Sequence, residues 1–148
     1  MLKVFDQKLQ NSDYSNNGER FELVMGKRLN ATRYYPYNSA SKSGDIVANG
    51  THYQCKADRG YFADITNIEE LAEHLFKHCK ASRYLLQVTK QNDWWIDTDK
   101  QGILKLAERG YITFEDAGSR GKVARWSMTK TEAVHCEMWT GIKVHKAE

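Results

Sequence analysis

The stretch Gly44-Asp-Ile-Val-Ala-Asn-Gly-Thr-His-Tyr-Gln-Cys-Lys56 decides how this chain is read. Asn49-Gly50 lies between two alternating runs. An Asn-Gly pair supplies the positive φ that both central positions of a type I′ turn require, so the segment predicts a β-hairpin. That turn fixes the register. Ala48 falls opposite Thr51, Val47 opposite His52, Ile46 opposite Tyr53 and Asp45 opposite Gln54. Residues directly opposite share a face, and faces alternate along each strand. Ile46, Ala48, Thr51, Tyr53 and Cys55 then form a face that packs on a helix. Asp45, Val47, His52, Gln54 and Lys56 form the other.

Asp45, Gln54 and Lys56 therefore converge at one end of one face. A carboxylate and an amide oxygen there can hold Mg²⁺, a hard cation that prefers oxygen ligands and keeps several waters. Lys56 can polarise or deprotonate a water, or stabilise charge developing on phosphorus. A surface salt bridge between Asp45 and Lys56 explains the same spacing without any chemistry.

Outward from the hairpin, helical and extended patterns alternate. Residues 11–18 read as a polar loop ending in a helix cap. Phe21, Val24, Met25 and Leu29 then recur at helical spacing over 18–30. Residues 31–37 read as a strand and 39–43 as a turn of small residues. Thr66-Asn-Ile-Glu69 is a capping box. Behind it Ile68, Leu71, Ala72, Leu75, Phe76 and Cys79 form a stripe that predicts a helix to about residue 81. Residues 84–88 and 94–96 read as strands, and 98–109 as a helix stopped by Gly110. Residues 111–114 and 123–128 read as strands around a polar loop, 115–122. A second capping box, Thr129-x-x-Glu132, opens a last helix. The expected class is α/β, a mixed central β-sheet flanked by helices.

Length and composition agree with that class. The chain has 148 residues, which predicts one domain over 1–148. Hydrophobic residues make up 41%, too many for a wholly disordered chain. No apolar run reaches the ~18–20 residues of a membrane span, and the N-terminus turns polar too early for a secretory signal. The three cysteines, Cys55, Cys79 and Cys136, are widely spaced. They match neither a disulfide framework nor a zinc pattern, so reduced thiols and a cytoplasmic location are expected. The net charge of +3 is unevenly spread, at +4 over 20–59, −3 over 60–119 and +3 over 120–148. Two basic stretches flank an acidic middle. If they meet in the fold they make a face for a phosphate backbone, and otherwise they are ordinary solvated charges.

Asp45 followed after a hairpin by Gln54-x-Lys56 resembles the metal-binding core of the PD-(D/E)xK nuclease superfamily. It is most similar to the Mrr-type branch, in which Gln stands in the usual acid position. Phe21-Glu22 matches the Phe-Glu pair of that branch's preceding helix. The order of elements over about 18–90 is similar too: helix, strand, hairpin, helix, strand. Gly44 replaces the proline of the superfamily motif. The resemblance implies a restriction-endonuclease-like core and a Mg²⁺-dependent endodeoxyribonuclease, with Mn²⁺ able to substitute. By position it implies Asp45 as the central metal ligand and Gln54 as a second, with the Cys55 carbonyl beside it. It also implies Lys56 as the group that activates water and Glu22 as a further ligand from the helix, with Glu19 in reserve. DNA would be held by Lys42, Arg59, Arg120, Lys122 and Arg125. Residues 91–148 would form an extension that grips the backbone. One site cuts one strand, so cutting a duplex implies a homodimer or higher symmetric assembly.

Two other readings use different residues or no chemistry. The same scaffold without catalysis would be a binding or inhibitor protein of a mobile element. Residues 98–128 resemble the recognition helix and wing of a winged-helix regulator, although strands rather than two helices precede them. His74 and His78, at i and i+4, have spacing for zinc but no third ligand, and a polar helix flank explains them. His135-Cys136 also lacks partners. His52 lies on the Asp45 face near the hairpin tip, where it either touches substrate or is merely exposed. Cys55 points into the packed face, where thiols are inert. Trp94, Trp95 and Trp126 read as core or interface residues.

Overall fold

The chain is described by a computed structural model covering residues 17–34 and 45–147. The expectations for residues 11–16, 35–43 and Gly44 lie outside the described residues, as does Lys42. Element order is α1 (Asn17–Arg28), β1 (Arg33–Tyr34), β2 (Ile46–Ala48), β3 (Thr51–Lys56), β4 (Tyr61–Ala63) and α2 (Ile68–Glu73). Then follow β5 (Arg83–Gln87), β6 (Trp94–Thr98), α3 (Lys100–Glu108), β7 (Ile112–Asp116), β8 (Lys122–Trp126), α4 (Lys130–Thr140) and β9 (Val144–Lys146). Six strands make one mixed sheet in the order β1-β2-β3-β5-β6-β9, and β4-β8-β7 make a second, antiparallel sheet. In the large sheet only β3 and β5 run parallel, joined by the crossover that carries β4 and α2. The fold is thus α/β with a mixed sheet flanked by helices.

The hairpin register is the expected one, with Ile46 opposite Tyr53, Val47 opposite His52 and Ala48 opposite Thr51. Asn49 and Gly50 take φ of 50° and 75°, as a type I′ turn demands. The two faces of the large sheet bury different cores. Ile46, Ala48 and Cys55 pack with Leu85 and Trp95 under Phe21, Leu23 and Met25 of α1. The opposite face carries Tyr84, Leu86 and Ile96 into a larger core with Leu71, Leu75, Ile103 and Leu106. Phe62, Ala124 and Trp126 of the small sheet join that core, so the two sheets share one interior.

The second helical stretch departs from its expected form. Its cap is Asn67, not Thr66: the Asn67 side chain accepts from the Glu70 N–H at 2.9 Å, and Thr66 instead bonds the Glu70 carboxylate. Asn67 takes extended backbone geometry and its side-chain oxygen satisfies the N–H three residues on, as an N-cap does. After Glu73 the backbone widens into a π turn over His74–His78 and leaves helical geometry at Cys79, short of residue 81. The wider turn rotates the stripe, so Leu75 is buried while Phe76 is 51% exposed. Two strands, β4 and β9, fall where the sequence predicts none.

Three local devices fix the remaining edges. The second capping box forms as expected, with Thr129 and Glu132 bonding each other's backbone N–H. On edge strand β9 the Val144 N–H donates to the Glu137 carboxylate at 2.8 Å. Gly102 in the first turn of α3 lies against the buried strand residue Thr98. A Cβ at that position would fall 1.7 Å from Thr98 Oγ1. Gly102→Ala should therefore destabilise the protein by about 1–3 kcal/mol through overpacking, and adding Thr98→Ala should restore part of it. Urea unfolding of the single and double variants checks this; an unchanged midpoint in Gly102→Ala refutes the packing argument.

Candidate functional site

A cleft of about 600 Å³ opens where the N-terminal end of α1 meets the end of β3 and the turn into β4. Glu19 and Glu22 of α1, Lys56 at the end of β3, Arg59 and Gly60 of the turn, Tyr61 of β4 and Arg120 line it. Arg120 comes from the tip between β7 and β8, so the small sheet closes over the edge of the large one. Of the expected residues, the fold brings Glu22, Cys55, Lys56, Arg59 and Arg120 to this cleft, and Glu19 with them.

Lys56 has an unusual position for a lysine. Its partner across the parallel pair is Leu86, so its stem enters the large core. Its ammonium donates to the Tyr61 carbonyl at 2.7 Å and lies 4.6 Å from the Phe62 ring centroid. Burial pushes its pKa below the ordinary lysine value, and Asp45 is the largest influence opposing that fall, with Glu22 a lesser one. Phe62 is meanwhile met edge-on by His74 at 5.9 Å, and burial holds that imidazole's pKa down.

Asp45 sits just before β2. Its N–H donates to the Tyr53 carbonyl at 2.7 Å, and its carboxylate accepts from the Cys55 N–H at 2.7 Å. Burial pushes its carboxyl above the usual range, against the Cys55 N–H and the Lys56 ammonium, which both pull it down. The Cys55 thiol is pushed up by burial and further by Asp45 and Glu22, so it is no nucleophile. Asp45 and, less strongly, Glu22 thus both act on Lys56 at the end of β3. Gln54 stands beside Tyr84 on the same sheet face as Lys56, half-buried, and does not line the cleft. Asp45 does not line it either.

The other basic residues divide by partner. Arg125 donates to the Arg59 carbonyl at 2.6 Å and binds Glu115, which makes it a strut between the sheets rather than an open phosphate ligand. Lys122 pairs with Asp116 at 3.3 Å within its own hairpin. Arg59 reaches Glu115 at 3.4 Å and stays 60% exposed. Arg120 has no ion pair among the described residues and lies 5.6 Å from the Tyr61 ring centroid. His52 is half-buried in β3. His74 and His78 have ring centroids 6.4 Å apart. No group of three or more His, Cys, Asp or Glu among the described residues is placed to hold a metal ion.

The residue that builds the cleft is one that sequence reasoning missed. Gln87 is fully buried at the end of β5. Its amide oxygen accepts from Asn17 Nδ2 at 2.7 Å and from the Asp58 N–H at 2.9 Å. Its amide nitrogen donates to Asn17 Oδ1 at 3.0 Å and to Asn92 Oδ1 at 2.6 Å. Its carbonyl accepts from Trp126 Nε1 at 2.8 Å. One side chain thereby ties the start of α1 to the turn after β3. The only sequence signal was a glutamine inside an otherwise apolar strand, which needs buried partners.

No protein-family model, curated protein or solved structure matches this chain. No helix among the described residues is long and apolar enough to cross a membrane.

Two consequences can be measured. Gln87→Leu strands the Asp58 N–H and the Asn17 and Asn92 amides, and should cost roughly 2–4 kcal/mol in chemical denaturation. A cost below ~1 kcal/mol would mean that the network carries no load. Asp45→Asn and Lys56→Met each leave a buried charge without its neighbour, while the double variant removes both charges. The coupling in a double-mutant cycle should be favourable by about 1–2 kcal/mol; strict additivity would show that the two groups do not interact.

Proposed function

We propose that this chain is a metal-dependent DNA endonuclease whose cleft hydrolyses a phosphodiester bond. The observation that carries this reading is the Lys56 ammonium, held by the Tyr61 carbonyl in a cleft that Glu22 also lines, with Asp45 the strongest charge acting on it. The Asp45 carboxylate on the Cys55 N–H, next to Lys56 in the chain, also supports it. So does the run of helix, strand, hairpin, helix and strand in α1–β5, with β4 inserted.

The donor set suits a hard cation. Asp45 is a buried acid whose carboxyl is driven upward, so a nearby cation would restore its charge. Glu22 and the Cys55 carbonyl at the cleft, with Asp45 beside the Cys55 N–H, would hold Mg²⁺ or Mn²⁺, while Gln54, which does not line the cleft, drops out of the expected set. Mg²⁺ needs only one or two protein carboxylates when waters and phosphate oxygens complete its shell. When bound it supplies positive charge to the phosphate and lowers the pKa of a coordinated water. Lys56, held in place by the Tyr61 carbonyl, presents its ammonium to a phosphate oxygen or to the attacking water. Arg120 and Arg59 draw the flanking phosphates into the cleft. A second copy of the chain is needed only if both strands of a duplex are cut together.

The position of Asp45 outside the lining of the cleft favours one alternative, a DNA-binding protein of the same build without catalysis. Plasmid cleavage separates the two. Wild-type protein with Mg²⁺ or Mn²⁺ should nick supercoiled DNA, and EDTA should stop it. Asp45→Ala and Lys56→Ala should each lower the rate by at least about 100-fold. Binding without nicking of any DNA form selects the alternative, and full activity in both variants refutes the site.

A further inference from the structure

We propose that the cleft takes an unpaired DNA strand in preference to an intact duplex, with Tyr61 as its stacking platform. This rests on the nuclease reading for its substrate class, but its geometry is independent of catalysis.

The first observation is depth. Lys56 is sunk at the end of β3, its ammonium held by the Tyr61 carbonyl at 2.7 Å and lying 4.6 Å from the ring centroid of the buried Phe62. A phosphate in a regular duplex is held at the rim by the stacked bases around it. An unstacked strand can fold a phosphate inward, which is why enzymes with recessed reactive groups act on extruded or single-stranded nucleotides. The second observation is size. The cleft holds about 600 Å³, in the range of pockets that enclose small ligands rather than of a groove that cradles a helix.

The third observation is the wall. Tyr61 lines the cleft, with the Arg120 and Arg125 guanidinium groups 5.6 and 5.2 Å from its ring centroid. Arg125 is fixed by its bonds to Glu115 and the Arg59 carbonyl, so it braces the tyrosine. Arg120 has no ion pair among the described residues and stays available to a phosphate. An aromatic ring beside a free guanidinium is the combination that binds single strands with little regard to sequence. Glu19 and Glu22 also line the cleft and repel a phosphate, which favours a strand held along Tyr61 and Arg120.

The test is fluorescence anisotropy on the full chain in EDTA, where no cutting occurs. The probes are a labelled thymidine oligonucleotide and a blunt duplex of equal length, at one fixed salt concentration. The single strand should bind at least about tenfold more tightly. Tyr61→Ala should remove most of that preference and Tyr61→Phe should keep it. Arg120→Ala should weaken single-strand binding and flatten its salt dependence. Equal or tighter binding of the duplex overturns the inference, as does a Tyr61→Ala variant that melts like wild type yet keeps the full preference. The nuclease reading fails separately. Single-strand preference without metal-dependent cutting leaves the inference standing and sinks the enzyme, while cutting with duplex preference does the reverse.

Discussion

The buried amide of Gln87 is the contact on which the site depends. It stands at the end of a central strand, where neither water nor a neighbouring strand satisfies it. Its bonds reach α1 through Asn17, the turn after β3 through Asp58, and the loop before β6 through Asn92. Its backbone carbonyl holds the Trp126 indole of the small sheet. Helix, turn and second sheet are far apart in sequence and share no other hydrogen-bonded centre of this kind among the described residues. A buried amide with full hydrogen bonding tolerates few alternative arrangements, because each misplacement leaves a polar group dry. The cleft is therefore defined by a network beneath it rather than by the residues that line it.

The lysine above that network is costly to keep. An ammonium taken out of water loses hydration that a carbonyl, a ring face and nearby carboxylates only partly replace. The fold accepts the cost at the end of β3, where a hydrophobic residue would pack better against Leu86 and Phe62. Local expense of this kind is common where chemistry, not stability, selects the side chain. The nearby Cys55 thiol and His74 imidazole are both held in their neutral forms, so Lys56 and the two carboxylates are the groups that set the local field.

The hairpin was legible because its determinants are local. Asn49-Gly50 fixes the turn, the turn fixes the register, and the register separates the two faces before any tertiary contact forms. Helices with caps and stripes were legible for the same reason, within the one-residue slip from Thr66 to Asn67. The π turn was not, because it trades local hydrogen bonding for the burial of Leu75 against residues far along the chain. The strands β4 and β9 are three residues each and exist only through partners some sixty and fifty residues distant. Gln87 and Tyr61 were hidden likewise. Their roles come from which segments arrive beside them, and no spacing records that. Of the candidate residues, Asp45, Lys56 and Glu22 could be named from the hairpin and the resemblance. The separation of Arg125 as a strut from Arg120 as an open cation needed the fold.

The Glu137 carboxylate on the Val144 N–H has a consequence for how this protein meets others. A terminal strand with open N–H groups invites another chain to add itself to the sheet. Here one such donor is already satisfied by a negatively charged side chain, which would also repel the carbonyls of an incoming strand. Lys143 and Lys146 flank it with charge, and the strand is only three residues long. At this margin the sheet is guarded against the addition of a strand from another chain.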